Sequence, residues 1–130
     1  MKGEQRFFVC NHCGNLTGLI QDKGVPMMCC GEKMKELVPN TAEASTEKHL
    51  PVVTASGDGK SIEVEIGSVP HPMEDAHGIS FVYVETERGG QRKCLKAGDE
   101  PSLKFSFEDD KPVAVYAYCN LHGLWKTAVN

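Results

Sequence analysis

Two short stretches of this sequence set soft metal donors at spacings that let them close on one ion. "CNHCG" places Cys10 and Cys13 two residues apart with Gly14 next, the knuckle in which two thiolates grip an ion while backbone amides turn toward the sulfurs. "CCG" places Cys29 and Cys30 side by side, so both sulfurs reach a common ion only through a tightened angle and a distorted tetrahedron. Three chemistries stay open on this pattern. Zinc would staple the chain; iron closed by four thiolates would pass an electron without binding a substrate; a vicinal disulfide would strain its bond and leave Cys10 and Cys13 unexplained. His12, between the knuckle cysteines, reads as an exposed side chain and not a ligand.

The other histidines are His49 in "TEKHLP", His71 and His77 in "VPHPMEDAHGI", and His122 in "CNLHGLW", three residues after Cys119. A lone histidine is ordinarily a surface or core residue. Four of them with a thiol are a donor set, and five nitrogen and sulfur donors exceed the four that structural zinc takes. A square of imidazoles over an axial thiolate suits iron with one position open. Four neutral imidazoles and one thiolate leave ferrous iron with a net positive charge, so such a site attracts anions. A thiolate opposite the open position pushes electron density toward it and favours activating a dioxygen species. Cys119 and His122 come from one loop, and Trp125 is expected to shield the sulfur side.

These donors need elements that hold them, and 130 residues suffice for a small domain joined to a medium one. Residues 1–37 carry four cysteines and too little apolar surface to close a core unaided, which predicts a metal-stapled mini-domain. "VPNTAEAST", residues 38–46, reads as a linker, and residues 47–130 as the second domain. There Ile62, Val64 and Ile66 alternate with Glu63 and Glu65, and Leu103, Phe105 and Phe107 with Lys104 and Ser106. That period of two predicts half-buried strands. Ile79 to Val84 and Val113 to Tyr118 are β-rich runs, and "SGDG", "ERGG", "AGDEP" and "EDDKP" punctuate the sequence. The expected fold class is mainly β: a four-cysteine mini-domain followed by an immunoglobulin-like antiparallel β-sandwich. Histidines at strand ends and in loops suit a site built at one end of such a sandwich.

Composition excludes several classes. A formal charge of -4 without clustered Lys and Arg argues against a nucleic-acid surface. No apolar run is long enough to predict a membrane span, and "MKGEQRFFVCNHC" lacks the pattern of a secretory leader, so the expected location is cytoplasmic. In that reducing setting six cysteines are ligands or core residues before they are disulfides. Cys94, in "RKCLKAG", belongs to neither constellation and is expected to be a buried, inert thiol.

Taken in order, "CNHCG", "CCG", "EKH", "HPMEDAH" and "CNLHGLW" resemble desulfoferrodoxin, the two-iron class of superoxide reductase, over the whole chain. The resemblance implies a desulforedoxin-like domain with iron held by Cys10, Cys13, Cys29 and Cys30. It implies a neelaredoxin-like sandwich whose non-haem iron is held by His49, His71, His77, His122 and Cys119. Lys48 would attract superoxide and assist its reduction to hydrogen peroxide, and Glu47 would close the sixth position once the iron is ferric, which argues against dismutation. Rubredoxin or a similar donor would return the electron, with the four-cysteine iron as a relay, and the assembly would be a homodimer. Met73, of the "HPM" triplet, would pack near the site without being a ligand. The chain departs from the family pattern at Ala76 and Gly78, where charged and aromatic residues are usual, a change expected to loosen that loop without touching ligation. The competing reading is a non-catalytic rubredoxin-like carrier or a zinc-stapled module in which the histidines are incidental.

Overall fold

Alternation along the chain is resolved into two facing sheets. A computed structural model of the protein describes residues 3–41, 49–67 and 71–129, which divide into two compact units, Met1–Val38 and Pro39–Asn130. Strands are β1 (Arg6–Val9), β2 (Leu16–Leu19), β3 (Met28–Cys29), β4 (Glu32–Lys33) and β5 (Lys35–Leu37) in the first unit. The second holds β6 (Pro51–Ala55), β7 (Ser61–Ile66), β8 (Ile79–Thr86), β9 (Gly90–Cys94), β10 (Ser102–Ser106), β11 (Pro112–Cys119) and β12 (Gly123–Ala128). Among the described residues no helix is long and apolar enough to cross a membrane.

In the first unit β1 is central, antiparallel to β2 and β5, and β3 and β4 form a separate hairpin. Its buried apolar residues among those described are Phe7, Cys10 and Met34, while Ile20, Val25 and Val38 stand exposed. Arg6 ties the sheet to its flanks: it donates to Asp22 at 2.6 Å and to both carboxylate oxygens of Glu36 at 2.8 Å.

The second unit is the sandwich. Sheet β10-β7-β6 faces sheet β12-β11-β8-β9, all neighbours antiparallel. Between them lie Ile62, Val64 and Ile66 from β7, Phe105 from β10, Val82 and Val84 from β8, and Val115, Ala117 and Cys119 from β11. Glu63 and Glu65 point to water, as the period of two requires. Each buried aliphatic contributes about 1.5–3 kcal/mol of transfer free energy, so this core stands on its own packing. Asn40, within the segment read as a linker, is hydrogen-bonded to β12: its N–H donates to the Leu124 carbonyl at 2.9 Å, and Lys126 N–H donates back at 2.8 Å.

Cys94 corrects the sequence reading, because it is exposed. It ends β9, which lies at the edge of its sheet and pairs with β8 alone. "GQRKC" has no apolar alternation to bury, so a strand residue there has no core to enter.

Antiparallel pairing gathers one set of chain ends at one pole. The first residue of β6 pairs with the last of β7, and the start of β8 with the end of β11. His49, the β7–β8 connection and the β11–β12 turn therefore meet.

Candidate metal centres

The first centre is built by two glycine-bounded turns. Cys10 N–H donates to the Asn15 carbonyl at 2.8 Å and Gly14 N–H to the Cys10 carbonyl at 3.0 Å, with Gly14 at φ +80°, a conformation glycine adopts without a Cβ clash. The adjacent pair is reconciled in the backbone: Cys30 takes φ +53° and Gly31 φ +76°. A left-handed cysteine is uncommon, and this turn brings neighbouring sulfurs, which extended backbone would send to opposite faces, to one point. All four sulfurs lie within 4.8 Å of one another. Cys29 and Cys30 Sγ are 4.0 Å apart and both thiols are free, which removes the vicinal disulfide, whose bond is about 2.05 Å.

Electrostatics prepare these sulfurs for a cation. Backbone N–H groups of Cys13 and His12 pull the Cys10 thiol down to about 6, whereas hydrogen bonds to Cys13 and Cys10 push Cys29 up to about 12. One thiolate forms easily and the next is opposed by its neighbours, a conflict that a bound cation relieves. Asn15 N–H faces Cys13 Sγ at 3.4 Å and its Nδ2 faces Cys29 Sγ at 3.8 Å. His12 points away to Glu32 at 3.0 Å and is exposed, as expected of a non-ligand.

At the second centre the four imidazoles form a closed ring. Neighbouring ring centroids are 4.9 Å apart for His49–His71, 4.8 Å for His71–His77, 5.0 Å for His77–His122 and 4.7 Å for His122–His49, with interplanar angles of 68° to 77°. Each ring therefore meets the next edge to face, a pinwheel around a common centre. Cys119, last residue of β11 and fully buried, brings Sγ to 3.6 Å from His122 Nδ1, which itself lies 3.0 Å from His49 Nε2. His49, His77, Cys119 and His122 place their donor atoms within 4.8 Å of one another, and His71 completes the ring between His49 and His77.

Local structure fixes each donor. Leu50 accepts from Gly67 N–H at 2.9 Å, and His71 N–H donates to Ile66 at 3.3 Å, anchoring both segments to the end of β7. His71 Nδ1 donates to the Pro72 carbonyl at 2.6 Å, which leaves Nε2 as the free lone pair. Asn120, Leu121 and His122 form a three-residue hairpin loop closed by Gly123 at φ +85°, where a left-handed residue is required. Trp125 stacks on His49 at 4.8 Å and 16°. Met73 packs against the core, and its thioether accepts Ile79 N–H at 3.3 Å.

A cation fits here on the structure's own terms. Nε2 of His71 and of His77 are buried with no hydrogen-bond partner, a cost that buried polar atoms rarely bear. Burial first, then the neighbouring imidazoles, hold His71 and His122 below the usual histidine pKa, which favours the neutral ring and its free lone pair at both. Four imidazole nitrogens and a thiolate suit iron better than a tetrahedral zinc. Glu47 and Lys48 lie outside the described residues. Sequence reasoning missed Asn120, which joins the two ligand-bearing loops; its only signal was its place beside Cys119.

Comparison with known proteins adds an independent line. The sequence model of the family described as Desulfoferrodoxin matches residues 41–128. A desulfoferrodoxin of Nitratidesulfovibrio vulgaris is 39% identical over 126 residues, covering 97% of this chain and 98% of its own. A superoxide reductase of Pyrococcus horikoshii is 33% identical over 99 residues, covering 64% of this chain and 86% of its own. Among solved structures, the superoxide reductase of Treponema pallidum superposes with a TM-score of 0.81 at 31% identity, covering 95% of this chain and 98% of that one.

Proposed function

The chain belongs to the desulfoferrodoxin family, and from that premise we propose that it is a superoxide reductase whose working centre is the ring of four imidazoles beside Cys119. Cys10, Cys13, Cys29 and Cys30 would hold one iron, and His49, His71, His77, His122 and Cys119 a second. Bound in the second site, iron(II) supplies the single electron that, with two protons, converts superoxide to hydrogen peroxide. The observation that carries the reading is the pinwheel of imidazoles with two orphaned Nε2 atoms and a buried thiol at its edge.

The protein's own groups perform the remaining tasks. Ligating imidazoles add no charge and a Cys119 thiolate would cancel one, so iron(II) held here would leave the site net positive and able to draw a small anion. The Pro72 carbonyl fixes the tautomer of His71, and stacking on Trp125 fixes the plane of His49. Lys48, one residue before His49, would steer superoxide over roughly a Debye length, ~8 Å in physiological salt. Glu47 would close the site to further anions after turnover. Rubredoxin or a similar one-electron carrier, a homodimer covering exposed Ile20, Val25 and Val38, and a cytoplasmic setting complete the proposal.

Metal analysis with an oxidised-minus-reduced visible spectrum tests it: two irons per chain and a new charge-transfer band are expected, with peroxide formed per superoxide rising when reductant is supplied. Zinc alone, or iron in the four-cysteine site only, would leave a carrier or a stapled module. Lys48→Ala should slow superoxide capture and flatten its salt dependence. An unchanged rate at both low and high salt removes Lys48 from the mechanism.

A further inference from the structure

The connection between β7 and β8 carries two of the four histidines, yet residues 71–78 contain no strand. His77 sits in a local turn, where Glu74 N–H donates to its carbonyl at 2.9 Å and its own N–H donates to Glu74 at 3.1 Å. Such a turn fixes the loop's shape but not its place relative to Cys119. The β8–β11 ladder carries that link no further than its last pair, Ile79 with Cys119, reached after a register shift, and makes no bond to residues 74–78.

Asn120 supplies it. Gly78 N–H donates to its Oδ1 at 2.9 Å, and its Nδ2 donates to the Ala76 carbonyl at 3.0 Å, so one carboxamide grips the main chain on both sides of His77. Its backbone N–H donates to the Gly78 carbonyl at 3.2 Å. Asparagine at the start of a hairpin loop is ordinarily a turn former that bonds its own backbone two residues on. Here the partners are 42 and 44 residues away in sequence, which is a clamp between loops. Against the looseness expected from Ala76 and Gly78, Gly78 offers both backbone groups to Asn120, and a Cβ on it would stand 3.0 Å from the Glu74 carbonyl oxygen, so a side chain there would press on the turn around His77.

We infer that Asn120 is a positioning residue that locks the His77 loop to the hairpin of Cys119 and His122, setting the distance between a nitrogen and a sulfur donor of one metal. Only a primary amide serves both ends of the grip. Aspartate keeps the acceptor for Gly78 but turns a lone pair toward the Ala76 carbonyl, and alanine loses both bonds. The inference rests on the proposed metal site and adds to it a residue that touches neither metal nor substrate.

Two measurements on the full chain test it. In the Zn(II)-loaded protein, Asn120→Ala should speed hydrogen exchange of the Gly78 amide roughly ten-fold while the Val82 and Val115 amides hold their wild-type protection. In competition titrations with Co(II), the same variant should bind about ten-fold more weakly at the histidine–cysteine site with a shifted thiolate-to-cobalt band, the low end of what supporting residues contribute. Its four-cysteine site should be unaltered. Asn120→Asp should fall between wild type and alanine in Gly78 protection, and carries the test if alanine fails to fold. Wild-type cobalt affinity and band in both variants overturn the clamp, as does unaltered Gly78 exchange. A wild-type chain that shows no thiolate-to-cobalt band from Cys119 overturns the reading of the site itself, and the clamp with it.

Discussion

The two units solve the same problem, holding donors around a cation, from opposite ends. In Met1–Val38 the donors stand in for a core: Cys10 is one of three buried apolar residues described, Cys29 is half-buried, and Cys13 and Cys30 close the cluster from the exposed side. In Pro39–Asn130 the donors are the rim of an interior that exists without them, and of the five only Cys119 also belongs to the apolar cluster. The difference shows in the backbone. The small unit bends Cys30 to φ +53° to close its site, whereas the sandwich delivers its donors on strand ends and a glycine-closed hairpin. A site that makes its fold tolerates local strain; a site mounted on a fold needs clamps between loops.

The comparison breaks most visibly on metal removal. Stripping both sites at neutral pH should unfold the first unit, since bound metal supplies about 10–16 kcal/mol in stapled peptides of this kind. The sandwich should stay folded. Backbone amide signals from Arg6–Leu37 should collapse to unfolded positions while fluorescence of Trp125, the chain's single tryptophan, still reports a packed site. Dispersed amide signals from the first unit after stripping would show that it has a core of its own. Phe105→Ala is the converse. Its side chain is fully buried between the sheets, so the change should cost about 3–5 kcal/mol in the Trp125-monitored unfolding of the sandwich. Absorbance of the four-cysteine centre should hold at its wild-type value, and a parallel loss there would make the two units one cooperative body.

Sequence legibility follows the same division. β7 and β10 could be read because one face meets water and the other the core, and the turn clusters fall between strands as expected. β9 offers no such signal: "GQRKC" at a sheet edge owes its conformation to pairing with β8, and the usual burial of a free cysteine is no guide to Cys94 there. Ligand identities were legible because cysteine and histidine are scarce and their motifs short. What holds them was not. The bond of His71 to the Pro72 carbonyl, the stacking of Trp125 on His49 and the reach of Asn120 across more than 40 residues are consequences of tertiary approach. No local pattern records them.

The smallest expected effect separates charge from packing in the first unit. Arg6 depresses the Glu36 carboxyl pKa chiefly through their hydrogen bonds; Asp22 is lowered first by the Gly24 N–H and only then by Arg6. A depressed carboxyl stabilises the fold at pH above its unfolded value, 4.5 for Glu36, and loses that contribution as pH falls through the folded value. Arg6→Gln removes the Glu36 share and leaves the Gly24 share of Asp22 intact. The stability difference between wild type and variant, followed by thermal loss of the cysteine-to-metal absorbance, should be small and steady near neutral pH and shrink below 4.5. High salt should shrink it too, because these side chains are exposed. Acid also protonates thiolates, but equally in both proteins, so the difference isolates the ion pair. Arg6 stacks over the Phe8 ring at 5.2 Å as well, a contact indifferent to carboxyl protonation. A difference that stays constant from pH 7 to 4 would therefore assign the role of Arg6 to that ring and not to Glu36.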